Sequence, residues 1–251
     1  MPHVWRLVDS GLVSPAESAA LDEAILEAHI AGAVPNTLHY YRRAVPTISV
    51  GYFQRVGESL DLSECRRRGI SIVRRKSGGS SIYTDAGQLI YGLVVGKSDL
   101  PEDRAKSFEF VCSAIARAIS SFGVDAKFRP MNDVEVGGRK LSGNAQLRRK
   151  KSVLQHGTVV VDTDVGAMDA VLRLDRSKNP SVASPSNRIT TLASLLGSVP
   201  DMELVKSRLT SELCGAFGVE FEKGSLGAME HETVRRLVAE RYSRDEWNLK
   251  F

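Results

Sequence analysis

The segment 74-RRKSGGSSIYTDAGQLIYGLVV-95 constrains the fold of this chain more than any other stretch. A strand-like run at 70–75 leads into it, and a second run follows the Gly-Gly-Ser-Ser turn. Two adjacent glycines free the backbone to aim several N–H groups at one point, which is how proteins build nests for phosphate or carboxylate. The flanking guanidinium groups suit bidentate contacts to such an anion. The segment predicts an anion-binding loop, and a hairpin with a polar tip fits the same spacing.

Helical patterns begin early in the chain and dominate its last third. SPAESAALDEAILEAHIAG predicts a helix in which Ser14 and Pro15 form the N-cap and the first turn. Apolar residues recur in it with a period of 3.6 residues, which indicates one buried face. Asp22 and Glu23 fall on or beside this stripe, and we expect them to be solvated.

Strand-like runs fill most of the remaining first two-thirds. SIYTD and QLIYGLVVG flank a turn at Gly87 and are predicted to pair as a hairpin. Gly137-Gly138, between VEV and KLSG, predicts a second, tighter hairpin. Internal repeats and a linker-like stretch are both missing from the sequence, so residues 1–251 are predicted to form a single domain.

Composition narrows the class of protein. The hydrophobic fraction is 42%, the formal net charge is +4, and no apolar run approaches the roughly 18 residues of a membrane span. The N-terminus lacks the pattern of a signal peptide, so a cytoplasmic enzyme-sized domain is expected. The charge is too low for a dedicated nucleic-acid binder. Basic residues nevertheless cluster at 66–68, 74–76 and 148–151, which makes an acidic ligand or acidic partner protein plausible.

The three cysteines, Cys65, Cys112 and Cys214, form no CxxC pair and no metal-ligand spacing. An odd, scattered count suits a reducing compartment. Cys112 and Cys214 lie in apolar helical patterns and are predicted to be packing residues. Cys65 lies beside three arginines, which could lower its pKa, but its pattern indicates the solvent face of a short helix.

A second glycine-rich stretch, 137-GGRKLSGNAQLRRKK-151, carries Lys140 two residues before Ser-Gly-Asn-Ala. Such a lysine can neutralise a phosphate or a developing leaving-group charge, or it can be a solvated strand residue. Upstream, Asn132-Asp133 could hold Mg²⁺ together with phosphate oxygens, or it could form an Asx turn. These loops predict a site that handles phosphate or adenylate through positioning and charge.

A third stretch, 155-QHGTVVVDTD-164, places His156 before Gly-Thr and an apolar strand. This histidine could contact a ligand, although a lone histidine is more often structural. Sequence signatures of serine hydrolases, zinc proteases and kinases do not occur in the chain. The combined loops therefore suggest one site without a covalent nucleophile.

Several motifs in fixed order resemble one known family. RRKSGGSSIYTDAGQLIY resembles the RRxSGGGAVxHDxGNLNx signature of lipoate-protein ligases. ND followed by GRKLSGNAQ resembles the family's ND…GxKxSGxAQ, and LQHGTVVVDTD resembles its HHGTLLLxxD strand. WRLVDSGLVSPAESAALDEAIL and VGYFQ fit this family and the related octanoyltransferases, and RYSRDEWN is similar to the end of small archaeal-type catalytic subunits.

The resemblance implies an α+β fold of the biotin/lipoate-protein ligase type, which is also the class II aminoacyl-tRNA synthetase/biotin synthetase type. Mixed sheets flanked by helices are expected. The implied reaction uses lipoate, ATP and Mg²⁺ to form lipoyl-AMP, and then acylates a lysine. Implied acceptors are lipoyl domains of 2-oxoacid dehydrogenases or an H-type carrier of glycine cleavage, with no nucleic acid or membrane involved. Two-domain ligases continue into a C-terminal accessory domain, so a separate accessory subunit could supply that part, or this chain could perform only the transfer.

Residue by residue, the resemblance assigns the essential lysine to Lys140 and a metal contact to Asp133. It assigns acyl contacts to His156, Gly157 and Thr158. The wall of the acyl tunnel is matched by the loop at 77–79. The nucleotide and acyl-adenylate contacts are assigned to Arg75, Ser77, Gly78, Gly79, Ser80, Ser81, Ile82, Tyr83, Asn132, Ser142, Gly143 and Ala145.

The chain departs from the family pattern at several positions. Ser80 and Ser81 replace a glycine and an alanine, and Thr84 replaces a histidine. In the GNLN segment, Gln88 and Ile90 replace both asparagines. Two hydroxyl groups therefore lie where backbone would approach phosphates, so the loop either binds AMP through its serines or binds a different ligand.

Three other functions fit parts of the pattern. Octanoyltransferases of the same fold pass the acyl group through a cysteine that lies just before the GxKxSG stretch. The loop at 129–133 contains no cysteine here, so an ATP-dependent ligase is preferred over that alternative. A non-enzymatic binding module for acidic partner proteins would also explain the basic clusters. A biotin ligase is disfavoured because its GRGRxG-type loop is missing.

Overall fold

Residues 3–173 and 184–251 are described by the structure, a computed structural model. The strands in these ranges are β1 (His3–Val13), β2 (Thr37–Arg43), β3 (Thr47–Val50), β4 (Ser71–Arg74), β5 (Ile82–Thr84), β6 (Gln88–Gly96), β7 (Ala126–Arg129), β8 (Asp133–Val136), β9 (Arg139–Arg149), β10 (Ser152–Val160) and β11 (Val219–Lys223). The α-helices are α1 (Pro15–Ala31), α2 (Val56–Ser59), α3 (Leu62–Arg67), α4 (Arg104–Ser120), α5 (Val165–Val171), α6 (Leu192–Leu196), α7 (Met202–Phe217), α8 (Ala228–Leu237) and α9 (Asp245–Asn248).

The strands form two mixed sheets. The larger sheet has the order β11-β1-β2-β6-β10-β9-β8-β7, and the smaller one has the order β4-β3-β5. β1 pairs in parallel with both β11 and β2, while the ladders from β2 to β7 are antiparallel. Helices α4 and α7 cover one face of the larger sheet, and α1 lies on the other. The predicted α+β arrangement of mixed sheets and flanking helices is confirmed.

Helix α1 begins as predicted. The Ser14 hydroxyl accepts from the backbone N–H of Glu17, whose carboxylate accepts from the Ser14 N–H, so a capping box precedes Pro15. The expectation that Asp22 and Glu23 are solvated is wrong, because both are buried. The helix is covered on two sides, by the larger sheet and by α8, so its polar residues are enclosed along with its apolar stripe.

One of the two predicted hairpins forms. β8 and β9 pair in antiparallel fashion across Gly137 and Gly138, whose φ angles of 57° and 75° favour glycine. The hairpin predicted around Gly87 is wrong, because β5 pairs with β3 while β6 pairs with β2 and β10. Gly87 instead marks a crossing between sheets. A Cβ atom there would lie 1.6 Å from the Asp162 carbonyl oxygen, so the chain passes too close to its neighbour for any side chain.

The apolar core has two main parts. The larger lies between the eight-stranded sheet and helices α4 and α7, and it includes Cys112 as predicted. The smaller lies between the three-stranded sheet and helices α2, α3 and α5. Cys65 is buried in this second part, so the expectation that it faces solvent is wrong; Cys214 is only partly buried. Within the described ranges, none of the helices has the length and hydropathy that crossing a bilayer requires.

Candidate functional site

Lys140 bends back over its own strand. Its ammonium lies 2.6 Å from the Asp133 carboxylate, and both side chains are partly exposed. Gly143 makes this possible, because a Cβ there would lie 2.3 Å from the lysine Cε and 2.5 Å from its Nζ. The lysine side chain therefore occupies the space that the glycine of the SGN motif leaves by having no Cβ. The structure brings together three predicted residues from two strands.

Lys140 and His156 face the same side of the sheet. Gly143 pairs with Asp133 on β8 and with Thr158 on β10, and directly paired residues share a face. His156 lies two residues from Thr158 along β10, so it shares that face as well. The ammonium and the imidazole therefore line one surface, which helix α1 partly covers.

Asn144 holds the loop that carries Asn132. The Asn144 side-chain amide donates to the Asn132 carbonyl at 2.9 Å, and the Asn132 side chain donates back to the Asn144 carbonyl. On the opposite face of the sheet from Lys140, the Tyr91 hydroxyl donates to Asn144 Oδ1 at 2.6 Å. A Cβ on Gly157 would lie 2.0 Å from that same oxygen. Gly157, predicted as an acyl contact, thus leaves room for the Tyr91–Asn144 hydrogen bond.

The glycine-rich loop is held from within by Arg75. A Cβ on Gly51 would lie 1.9 Å from the Gly79 carbonyl oxygen, so the loop packs directly on β3's end. Gly79 has φ +96°, which favours glycine. Burial and the nearby charge of Arg43 lower the pKa of Arg75 to about 10. The Arg75 guanidinium donates to the carbonyls of Ser49, Gly78 and Ser80 and to the Ser77 hydroxyl.

Ser77, His156 and Asp22 form a hydrogen-bonded row. His156 Nε2 lies 2.6 Å from the Ser77 hydroxyl, and its Nδ1 lies 2.7 Å from the Asp22 carboxylate. A carboxylate can only accept, so Nδ1 carries a proton that it donates to Asp22, while Nε2 and the Ser77 hydroxyl share the second hydrogen bond. The row joins the glycine-rich loop, β10 and α1. It fixes the orientation of the imidazole that the resemblance places beneath the acyl chain.

Asp22 lies between two histidines. Gly92 of β6 pairs with both His39 and His156, and a Cβ on it would lie 2.7 Å from Asp22 Oδ1. Burial alone would raise the pKa of Asp22, but the hydrogen bond from His156 brings it well below its ordinary value. His39 Nδ1 is 3.8 Å from Asp22, beyond hydrogen-bond distance, and adds an electrostatic contribution. Asp22 therefore stays ionised in a buried position.

Three of the departures from the family pattern, Ser81, Thr84 and Gln88, have hydrogen-bond partners in the structure. The Ser81 hydroxyl donates to Gln54, while Ser80 is exposed. Thr84 donates to the Thr47 carbonyl on the neighbouring strand. The Gln88 amide donates to the Tyr83 carbonyl and to Thr163, which ties β6 to the end of β10. These substitutions therefore fit the local packing of this chain.

Some predicted contacts lie away from the shared surface. The Tyr83 ring is buried in the smaller core, and burial raises its pKa, so only its backbone borders the loop. Ser142 is fully buried and accepts from the Asn144 side chain. Gly78 and Ile82 are partly exposed. Ala145, in contrast, pairs directly with His156 and therefore lies on the shared surface. The ligand contacts assigned to these residues remain predictions.

The sequence reasoning missed Asp22, Asn144 and Tyr91. Each of the three approaches a glycine in a neighbouring strand: Gly92 for Asp22, and Gly157 for Asn144 and Tyr91. Glycines inside strands mark close approach of another group. That signal was present in the sequence, but it did not say which residue approaches.

The cysteines lie outside this arrangement. Cys112 is fully buried at 3.8 Å from the Gln155 amide, and burial raises the pKa of its thiol to about 12. Burial also raises the pKa of Cys65 and of Cys214. The pKa of Cys65 is raised overall by its burial, and the opposing charge of Arg66 does not reverse this. A neutral, enclosed thiol is a poor nucleophile.

The chain is similar over nearly its whole length to octanoyltransferases and to lipoate protein ligases. The octanoyltransferase LipM of Kyrpidia tusciae is 34% identical over 274 residues, which cover 99% of each chain. The LipM of Geobacillus kaustophilus is 30% identical over 275 residues, again covering 99% of each. A bi-partite lipoate protein ligase of Thermoplasma acidophilum has a TM-score of 0.86 at 26% identity, covering 98% of this chain and 96% of that one.

Two further structures extend the comparison. A lipoate-protein ligase A bound with ATP has a TM-score of 0.85 at 25% identity, and 98% of each chain is covered. A biotin protein ligase of Aquifex aeolicus shares the fold alone, with a TM-score of 0.51 at 12% identity over 85% of this chain and 70% of that one. Residues 14–214 match the lipoyl protein ligase A/B catalytic domain family, and the chain belongs to that family.

Proposed function

We propose that this protein transfers an octanoyl group to the lysine side chain of a lipoyl domain. The observation that carries the proposal is the Lys140–Asp133 pair on Gly143, beside the loop and strand that the resemblance assigns to the acyl chain. Full-length similarity to octanoyltransferases supports octanoyl as the acyl group. This reverses the preference for an ATP-dependent ligase, which rested on the missing loop cysteine.

In the proposed step, the acceptor amine attacks the acyl carbonyl of a thioester. The new C–N bond forms, the C–S bond breaks, and the amine proton goes to the leaving thiolate. Negative charge develops on the carbonyl oxygen, and a preorganised ammonium at that point lowers the barrier. Lys140 supplies it, and Asp133 holds it in place until the acyl group enters.

A second candidate, MgATP-dependent ligation of lipoate or octanoate, is favoured by the position of the cysteines. The thiols of Cys65 and Cys112 are buried, Cys214 is partly buried, and burial raises the pKa of all three, so a cysteine thioester on this chain lacks a suitable nucleophile. Asp133, with the Asn132 side chain beside it, offers Mg²⁺ one carboxylate, which suffices where nucleotide phosphates complete the shell. Bound Mg²⁺ would neutralise phosphate charge there. Similarity to a ligase bound with ATP supports this candidate.

One experiment separates the two candidates. The purified chain is incubated with a lipoyl domain and either an octanoyl thioester of a carrier protein without ATP, or free octanoate or lipoate with MgATP. Intact mass spectrometry of the domain reports acylation, and Lys140→Met is the control for catalysis. Acylation from the thioester alone supports the transferase, and acylation that requires ATP supports the ligase. Absence of acylation in every arm, including arms with a candidate accessory subunit, would refute both.

A further inference from the structure

A cationic and aromatic surface lies beside the glycine-rich loop. We define the Trp247 patch as Tyr52, Phe53, Lys76, Trp247, Lys250 and Phe251. The Lys250 ammonium lies 4.1 Å from the Trp247 ring centroid and 4.5 Å from that of Tyr52. The Lys76 ammonium lies over the same two rings, at 4.9 and 6.0 Å. Two lysines that are 174 positions apart in sequence thus converge on one pair of rings.

Both ammonium groups lack a carboxylate partner among the described residues. Salt bridges within those ranges join neither Lys76 nor Lys250 to any acid, although Asp245 and Glu246 are close in sequence to Trp247. A third cation, Arg241, lies 5.0 Å from the Trp247 ring but is paired with Glu23. Burial lowers the pKa of Lys76, and the charges of Arg241 and Arg149 lower it further against the opposing charge of Glu23, which is itself paired with Arg241. Crowded like charges favour the approach of an external anion.

The patch is preorganised by Arg74, which is fully buried. Trp247 donates its indole N–H to the Arg74 carbonyl at 2.9 Å. Binding to a rigid surface costs less conformational entropy than binding to a mobile one. The Arg74 guanidinium donates to the carbonyls of Gly51, Tyr52, Gln54, Trp247 and Lys250, so it joins the turn after β3 to the segment at 247–250.

The patch also exposes large apolar rings next to the site. Phe53 is 80% exposed and Phe251 is 68% exposed. The Tyr52 N–H donates to the carbonyl of Ser77, which is the residue after Lys76 and the partner of His156. Aromatic rings are enriched at protein interfaces, and Trp and Tyr are enriched among the residues that contribute most to binding. A partner on this surface would therefore stand at the edge of the acyl site.

We propose that the Trp247 patch docks the carrier domain whose lysine is acylated, through carboxylates of that domain that pair with Lys76 and Lys250. The proposal rests on the proposed function for the identity of the partner. Phe53 packs on the domain and excludes water around the ion pairs, which strengthens them. Docking there brings the acceptor lysine toward the surface shared by His156 and Lys140.

The test compares two doubly charge-reversed variants in an otherwise intact chain. Lys76→Glu with Lys250→Glu removes the cations of the patch. The matched control, Lys97→Glu with Lys223→Glu, makes the same change in net charge at exposed lysines near the ends of β6 and β11. Affinity for an unacylated lipoyl domain is measured by calorimetry, and KM and kcat for that domain by mass spectrometry.

The patch variant is expected to lose about tenfold or more in affinity and to raise KM for the domain, with kcat at saturation retained. The salt dependence of binding should flatten in the patch variant only. Equal affinity and equal salt dependence in the two variants would overturn the proposal. A raised KM for ATP with unchanged domain affinity would also overturn it, because the cations would then serve phosphate.

Because binding is measured without an acyl donor, failure of the docking proposal can be told apart from failure of the proposed octanoyl transfer. A wild-type chain that binds the domain through the patch but acylates nothing would refute the function and leave the docking surface. Phe53→Ser provides an independent variant, since this exposed ring contributes little to the fold. We expect it to weaken binding several-fold while the melting temperature stays unchanged.

Discussion

Gly143→Ala tests whether catalysis requires the Lys140 side chain to occupy the space over Gly143. The new methyl group would overlap the lysine Cε at 2.3 Å and Nζ at 2.5 Å. Both atoms are at the free end of a flexible side chain, so the lysine rotates away and the strand remains in place. The substitution thus removes the ammonium from its position beside Asp133 without deleting it.

The expected effects on stability and on catalysis differ in size. The ion pair is partly exposed, with 27% of the lysine and 14% of the aspartate side chain accessible. Losing such a pair costs at most about 1 kcal/mol, or a melting shift of roughly 2–4 °C for a chain of this length. Removing one preorganised group that stabilises a developing oxyanion lowers kcat by about 10²–10³-fold. We therefore expect Gly143→Ala to lower kcat strongly while the melting temperature changes little.

Single-turnover acylation of a lipoyl domain at saturating donor measures the rate, and calorimetry measures the melting temperature. Lys140→Met, which has no ammonium group at this position, gives the reference rate for its complete loss. Gly215→Ala is the control, because a Cβ at that exposed helical position meets no atom within 4 Å. Should Gly143→Ala retain the wild-type rate while Lys140→Met loses it, the position of the ammonium over Gly143 would be irrelevant. That result would refute a role of Gly143 in positioning the Lys140 ammonium for catalysis.

Three further outcomes follow from the residues around this pair. Tyr91→Phe leaves Asn144 Oδ1 without its donor, and it should lower the free energy of unfolding by about 1–3 kcal/mol in chemical denaturation. Gly157→Ala places a Cβ 2.0 Å from the same oxygen, so it should destabilise the fold at least as much. Asp22→Asn removes a carboxylate whose pKa is depressed by His156. Because its pKa is depressed, the ionised Asp22 carboxylate stabilises the wild-type fold at pH values above the ordinary pKa of 3.8, and this contribution is lost as the pH falls through the pKa of the folded state. The difference in unfolding free energy between Asp22→Asn and the wild type should therefore become smaller in acid.

The sequence predicted local features better than long-range ones. The hairpin at Gly137-Gly138 forms because a two-residue turn with positive φ needs no other part of the chain. The hairpin at Gly87 fails because β5 finds its partner in β3, before the glycine-rich loop, rather than in β6. Periodicity and turn residues carry no information about which of two sheets a strand will join.

The motifs predicted the residues of the candidate site, but they did not predict the hydrogen bonds that join it to distant parts of the chain. Lys140, Asp133 and Gly143 lie in one hairpin, so their proximity follows from the predicted turn. Asp22 and His156 are separated by 134 positions, and Asp22 was expected to be solvated although it falls on or beside the apolar stripe of its helix. A buried carboxylate is stable only with a partner, and that partner becomes visible only when α1 is placed on the sheet.

The three basic residues that open the glycine-rich segment have three different roles. Arg74 and Arg75 were both candidates for contacts to an anion, yet their guanidinium groups are occupied by backbone carbonyls of this chain. Arg74 joins the segment at 247–250 to the turn after β3, and Arg75 holds the glycines in their turn. Only Lys76 directs its charge toward the exposed face, over Trp247. A motif of adjacent cations can therefore build a loop with its first two members and leave recognition to the third, because β4 ends at Arg74 and the chain bends at Lys76 and Ser77, so these side chains do not follow the two-residue alternation of a strand.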